Sequence, residues 1–349
     1  MGKSKRVTLD DVSAEVGLSR FLVCRALTGK PGVNEDTRRR IQEAATRMGY
    51  KNRKGKKPMT SEVVSVVLLI DEEEANRVFW TRIIRGIEAA ARNNGCDLLL
   101  RAVSRDEVER GEIPAMIQEG RVKGVLITGN FSASYVARFE KVDCEVVLVD
   151  NYLLSTRHDA ILIADWEGSY QLTKYLIKLG HQRLGYAGQI RGHWSWAQRY
   201  RGFRDALEEQ GLGYNPQYAI GQENGANVWN AGYMERETGR LTEMPTAWIC
   251  NNDLTAHFLI IALRKAGYKI PDDISVVGFD DLPEENPEVP ALTTVRVFGQ
   301  EMGAAAFDQL LWRLNNRNAQ PRRVLIGVQL IEGITTALPQ VETKIGTSK

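Results

Sequence analysis

Apolar residues recur along this chain at two spacings, one helical and one strand-like. The helical spacing dominates the first 50 residues. Thr8 followed by Asp11 reads as a capping box ahead of the helix "LDDVSAEV", and Gly17 stops that helix and permits a tight turn. Ser19 can cap a second helix, "RFLVCRAL", ending near Gly29. Asn34 is the expected N-cap of a third, "EDTRRRIQEAATRM", in which Ile41, Ala44, Ala45 and Met48 share one face. Two short helices joined by a Gly-containing turn, with a third packed behind, form a helix-turn-helix arrangement. The pattern breaks over 51–61, "KNRKGKKPMTS", which reads as a linker.

Beyond the linker, continuous apolar runs of strand length alternate with amphipathic helices. The runs fall at Val63–Ile70, Asp97–Arg101, Gly124–Thr128, Glu145–Val149, Arg183–Ala187, Ala247–Cys250 and Ile274–Phe279. Helical segments between them include "FWTRIIRGIEAAARNNG", "SYQLTKYLIKLG", "RYRGFRDALEEQG" and "TAHFLIIALRKAG". Apolar strands separated by helices imply parallel sheets covered on both faces. The strands are too many for one compact sheet, so the expected fold is α/β: a three-helix head plus a core of two doubly wound lobes with a cleft between them. The expected boundaries are 1–50 for the head, 51–61 for the linker, 62–340 for the core and 341–349 for a tail. Within the core, one lobe takes 62–162 with 293–325 and the other 163–292 with 326–340.

Charge sharpens this division. Residues 1–60 hold 15 Lys/Arg and 6 Asp/Glu, so a net +9 sits on the head and linker and −7 on the remainder. A basic block on a mildly acidic body suggests that one end meets a polyanion. With 43% hydrophobic and 26% charged residues the composition is that of a globular protein. The apolar run Val63–Ile70 is too short to span a bilayer, the opening residues have no apolar signal core, and the four cysteines stand singly. A reduced cytoplasmic setting is expected, with no membrane partner.

The segment Val7–Tyr50 resembles the DNA-binding domain of the LacI/GalR repressor family. The likeness continues through "RGIEAAARNNG" (Arg85–Gly95), "KLGHQRLGYAG" (Lys178–Gly188), "RYRGFRDAL" (Arg199–Leu207) and "ISVVGFDD" (Ile274–Asp281), in order and in register. It implies a homodimer that binds a double-stranded DNA operator, and a periplasmic-binding-protein-like core holding a small effector between its lobes. Such a protein represses carbohydrate-utilisation genes under the control of a sugar. The alternatives for this chain are a cytoplasmic sugar-sensing regulator that uses its effector as corepressor or activator, or a sugar-binding protein without specific DNA readout.

In a helix-turn-helix the N-terminal residues of the second helix face base edges. Here those are Ser19, Arg20, Phe21, Leu22 and, one turn on, Arg25. Arg25 is the leading base reader, through two hydrogen bonds to a guanine. Arg20 follows as a base or phosphate contact, and Phe21 or Leu22 suits a thymine methyl group. Val23, Ala26 and Leu27 are expected in the core. Thr8, Asn34, Thr37 and Arg38 stand at helix starts, where hydroxyls and amides meet phosphate.

For the effector, the resemblance assigns Arg199 as the hydroxyl clamp, Asn252 and Asp280 as second-lobe contacts and Asp150 as a first-lobe contact. Asp165 is a weaker candidate, equally suited to cap the following helix, and Asp281 is expected to be structural. Phe79 and Trp80 occur where the family places a first-lobe aromatic. Asn227 occupies a position that is aromatic in some members, so Trp229 or Trp196 is expected to supply that wall. Trp166 and Trp194 are also expected beside the cleft, and a Trp-rich cleft favours a saccharide. His181 is expected to be structural.

Enzymatic readings find little support. No Gly-rich turn follows the opening strand, as a dinucleotide cofactor requires. The four histidines lack ligand spacing, and no serine sits in a G-x-S-x-G setting. Neither a cofactor nor a metal is expected. The tail after Gly333 has no heptad pattern, so a coiled-coil tetramer is not indicated.

The sequence departs from the family in two places. Leu22 and Cys24 replace small hydroxyl residues, which removes two phosphate contacts. In the linker, Met59 stands at the position of the family's minor-groove Leu, after Lys56, Lys57 and Pro58. Met59 retains an apolar wedge, and the lysines supply phosphate affinity. Pro58 lacks an amide donor and clashes with a preceding helical turn. The expectation is a weakly bent operator. Bend angles measured for complexes of the wild type and of Pro58→Ala should show more bending in the variant; a strongly kinked wild-type complex would contradict this.

Overall fold

The computed structural model describes residues 7–18, 23, 26–27, 34–48, 50, 65–75, 77–222, 226–283 and 289–340, within two compact units, Met1–Val63 and Val64–Lys349. Ser19, Arg20, Phe21, Leu22, Arg25, Lys56, Lys57, Pro58 and Met59 lie outside the described residues.

In the first unit the helix Leu9–Val16 begins with the expected capping box. The Asp11 amide donates to Thr8 Oγ1 (3.3 Å), and the Thr8 amide donates to Asp11 Oδ2 (2.7 Å). Gly17 ends the helix in the left-handed conformation, φ 65°, which glycine adopts without a side-chain penalty. Asn34 caps the helix Glu35–Arg47 by accepting from the Thr37 amide at 2.7 Å. Val12, Val23, Ala26 and Ile41 are fully buried, with Val16, Ala44 and Ala45 beside them.

The second unit opens with β1 (Ser65–Asp71), β2 (Asp97–Val103), β3 (Gly124–Thr128), β4 (Glu145–Val149) and β5 (Asp159–Ile163). It continues with β6 (Leu184–Ala187), β7 (Ala219–Ile220), β8 (Ala247–Cys250), β9 (Ser275–Val277), β10 (Thr294–Val297), β11 (Arg323–Ile326) and β12 (Val328–Ile331). One parallel sheet has the order β2-β1-β3-β4-β5-β11, and a second has β7-β6-β8-β9. Along β1, Val66, Leu68 and Ile70 enter one core cluster while Val67 and Leu69 enter another. Both faces of the sheet are therefore covered, which explains the unbroken apolar run.

The chain passes between the sheets three times: after β5, ahead of the helix Gly299–Asn315, and through Gly327 between β11 and β12. The strand β10 was expected with the first lobe. Instead it pairs antiparallel with β12 and meets the second sheet through the bridges Val277–Thr293 and Asp280–Arg296. Its short, mixed run carries too little apolar pattern to show which sheet it joins. His181 is structural, as expected: its ring nitrogens meet Thr246 Oγ1 (2.9 Å), Ser275 Oγ (3.1 Å) and the Ala337 carbonyl (3.0 Å). No helix among the described residues is long and apolar enough to cross a membrane.

The helix Gly299–Asn315 is seated on β5 by a buried bidentate pair. Arg313 Nη2 and Nε donate to Asp159 Oδ1 (2.6 Å) and Oδ2 (2.9 Å). It crosses the helix Val78–Asn93 at Gly303, where an added Cβ would collide with the Ile83 carbonyl oxygen. Gly303→Ala should therefore cost about 1–3 kcal/mol through overpacking. Urea unfolding should show a lower midpoint with an unchanged slope.

Candidate functional site

Strand ends and helix starts converge on one cavity of about 430 Å³ between the two sheets. From the first lobe come Phe79 and Trp80 in the opening turn of the helix Val78–Asn93, Asn130 after β3, and Asp150 directly after β4. The second lobe supplies Ser195, Trp196 and Arg199 from the helix Trp194–Glu209, Trp229 ahead of the helix Ala231–Gly239, Asn252 after β8 and Asp280 after β9. Ligand sites at the C-terminal ends of parallel strands arise because the loops there diverge around a crevice.

Arg199 stands at the centre. It is 4% exposed, and its position follows from close helix packing: an added Cβ at Gly202 would collide with the Trp166 carbonyl oxygen, so the helix can press against Asp165–Lys178. Its Nε donates to Asp165 Oδ1 (2.7 Å) and its Nη1 to the Asn251 carbonyl (2.7 Å), while the guanidinium lies 3.8 Å from the Phe279 ring centroid. Nη1 also lies 3.1 Å from Asp280 Oδ1. That contact is a buried ion pair, and Asp280 Oδ1 and Asp165 Oδ2 are both sealed from solvent. Asp280 occupies a left-handed backbone conformation, φ 115°, as does Asp150 at φ 55°. Both turn their carboxylates from strand ends into the cleft, where Asp150 Oδ1 accepts from Ser195 Oγ of the opposite lobe at 2.7 Å.

The electrostatics follow from burial. Burial opposes the charge of Arg199, but Asp280, Asp165 and Asp150 outweigh it and hold the guanidinium more firmly protonated than usual. Burial pushes the Asp280 carboxyl up to about 6 against the pull of Arg199, and raises Asp150 well above the ordinary carboxylate range. His193, which caps the helix Trp194–Glu209 by accepting from the Ser195 amide (3.3 Å), is pushed down to about 4 by burial and by Arg199. It is neutral near pH 7. Asn252 caps the helix Asp253–Lys265 through Oδ1, accepting from the Thr255 amide (2.9 Å), which leaves its amide nitrogen for the cavity.

Of the residues singled out by sequence, Phe79, Trp80, Asp150, Trp196, Arg199, Trp229, Asn252 and Asp280 line this cavity together. Asp165 stands behind them as the partner of Arg199 and the first residue of its helix. Asn227 is the correction: its side chain is exposed and outside the lining, because Val228 turns into the core and delivers Trp229 to the wall. Trp166 and Trp194 also miss the cavity. Trp166 stacks on Tyr170 and donates to Asp205 (2.7 Å), and Trp194 packs edge-on against Tyr152. Asp281 is structural, accepting from Arg296 Nε at 2.6 Å. Sequence reasoning missed Glu74, Arg77, Asn130, His193, Ser195 and His257, all on loops or helix starts without a pattern of their own.

In the first unit, the remaining sequence candidates are tied into local structure. The Thr8 hydroxyl donates to Asp11 (2.7 Å), and Arg38 Nη1 donates to the Ala26 carbonyl (3.2 Å). Asn34 is exposed and Thr37 half-buried at the start of the third.

Two lobes around a polar, aromatic-walled cleft form a periplasmic-binding-protein-like core. The description "Periplasmic binding protein-like domain" matches residues 173–336. The HTH-type transcriptional repressor PurR of Vibrio vulnificus (strain CMCP6) is 26% identical over 320 residues, 90% of this chain and 94% of that protein. Among solved structures, a complex of the transcriptional regulator CelR with cellobiose covers 95% of this chain and 100% of its own, at TM-score 0.69 and 24% identity. The lac repressor dimer bound to operator and the anti-inducer ONPF covers the same shares, at TM-score 0.67 and 23% identity. The chain is thus similar to HTH-type transcriptional repressors and, in fold, to LacI-type regulators.

The raised Asp280 carboxyl has a thermodynamic signature. Its folded-state affinity for a proton exceeds that of the unfolded chain, so stability should fall as pH rises from about 4 to about 6 and level off above. The contribution is of order 3 kcal/mol for a shift of this size. Thermal unfolding across that range should show a shallower slope for Asp280→Asn than for the wild type.

Proposed function

We propose that this protein is a cytoplasmic, homodimeric repressor of carbohydrate-utilisation genes whose operator affinity is set by a neutral saccharide held between the two lobes of the core. The carrying observation is the cavity itself, where Trp196 and Trp229 stand beside the buried Arg199–Asp165–Asp280 cluster. Sugar hydroxyls pair with the Asp280 and Asp150 carboxyl groups and accept from the Asn252 amide nitrogen, and indole faces of Trp196 and Trp229 suit the C–H surfaces of a pyranose. Glu74, Asp150 and Asp280 outnumber Arg77 and Arg199 in the lining, which disfavours a sugar phosphate or uronic acid. The relatives support the same reading: one solved neighbour is a complex with cellobiose and another is a dimer on its operator.

In this reading the head reads DNA through Arg25 and Arg20, with Ser19, Phe21 and Leu22 beside them, and Thr8, Asn34, Thr37, Arg38, Lys56 and Lys57 meet phosphate while Met59 enters the minor groove. Two heads of a dimer address half-sites one helical turn apart, about 34–36 Å. The effector acts by binding one lobe arrangement better than the other, a coupling free energy between two sites. No enzymatic step enters, and the cavity works by binding alone.

The test is selection of genomic DNA fragments by the purified protein at physiological salt, followed by operator titration with and without a sugar panel. One or a few imperfect palindromes near carbohydrate genes should be enriched. One sugar should change operator affinity by roughly 5- to 150-fold, and Arg199→Lys should abolish that response while operator binding persists. Sequence-blind retention, or operator binding indifferent to every sugar, would overturn the proposal.

A further inference from the structure

The cleft continues past the cavity just described. A second hollow of about 350 Å³ adjoins it, lined by Asp71, Glu73, Asn130, Gln189, Arg191 and Gln222. Glu74, Arg77, Asn130, Trp196 and Trp229 border both hollows, so these five form the partition. The two sides differ in kind. The inner hollow is walled by aromatic rings around Arg199, whereas the outer one is lined by planar amides, carboxylates and a guanidinium.

The partition is itself occupied. Arg77, on the first-lobe loop after β1, reaches over the Trp229 ring of the second lobe, with its guanidinium carbon 4.0 Å from a ring centroid. Glu74 holds it there through an ion pair with Arg77 Nε at 3.0 Å, while its carboxylate accepts from Trp80 Nε1 at 3.2 Å. A planar cation thus lies on an indole at the point where the hollows meet. Stacking of this kind is modest when partly exposed, and a flat-faced ligand can compete for the same surface. Burial raises the Asp71 and Glu74 carboxyls from their ordinary values, as expected of groups partly withdrawn from water.

Resting on the saccharide reading above, we propose that the outer hollow is a second sugar subsite and that the effector is a neutral saccharide of at least two rings. The first ring occupies the Arg199 hollow. The second takes the place of the Arg77 guanidinium over Trp229, with Asp71, Gln189 and Gln222 meeting its hydroxyls. The displaced Arg77 remains paired with Glu74 at the rim.

The test is calorimetric titration of the full-length protein with sugars of increasing length in matched series: glucose, cellobiose and cellotriose; glucose and maltose; galactose and lactose; xylose and xylobiose. In the series that binds, the disaccharide should bind at least about tenfold tighter than its own monosaccharide, the value of one or two added hydrogen bonds to charged groups. Asp71→Asn and Arg191→Ala should each collapse that ratio several-fold. Monosaccharide binding as tight as that of the matching disaccharide would overturn the second subsite and leave the saccharide reading standing. Binding of none of these sugars would overturn both.

Discussion

The core is organised around one buried cation. Arg199 must hold a full charge almost out of contact with water, and that is tolerable only because Asp165, Asp280 and the Asn251 carbonyl surround it and the Phe279 ring covers its face. Each partner comes from a different place in the chain. Asp165 opens the helix that follows the first passage between the sheets, Asn251 ends β8, and Asp280 follows β9 and pairs through its backbone with Arg296 beside the second passage. A single guanidinium therefore ties both passages to the floor of the cavity.

This arrangement makes the same residues serve binding and lobe geometry. Asp280 lines the cavity and pairs with Arg199, so one residue belongs both to the ligand-facing wall and to the cluster that ties two connecting segments together. The Asp150–Ser195 hydrogen bond and the Arg77–Trp229 contact span the lobes at either side of the cavity. Any ligand that enters must accept these contacts or replace them, so occupancy and lobe arrangement are linked physically rather than by distance alone.

Close backbone approaches make the geometry possible. Gly202 lets the Arg199-bearing helix meet Trp166 and Tyr170, and Gly303 lets the helix Gly299–Asn315 meet the helix Val78–Asn93 that presents Phe79 and Trp80. Left-handed Asp150 and Asp280 do similar work at strand ends. The strain is borne by positions whose side chains face the cavity, as expected where a site is held by its surroundings.

Much of this was legible in the sequence, for reasons that differ residue by residue. Unbroken runs such as Val66–Ile70 could only be strands buried on both faces, and Thr8, Asn34 and Gly17 announced helix ends through local hydrogen bonding and φ preference. Arg199, Asp150, Asn252 and Asp280 were found because motifs place them at strand and helix ends. Short segments escaped: β10 and β12 are four residues each, and their partners lie far along the chain. Asn227 was misjudged because a one-residue difference in turn direction sends Val228 inward and brings Trp229 to the wall. Arg77 and Glu74 carried no local signal, since a guanidinium over an indole 152 positions away is created only by folding. Local chemistry, then, determined the elements and their order, while the polar positions of the cleft came from the family resemblance. Tertiary packing alone decided which side chains share the cleft, which aromatic forms its wall and how the charges around Arg199 balance, because those depend on distances between segments that the sequence does not contain.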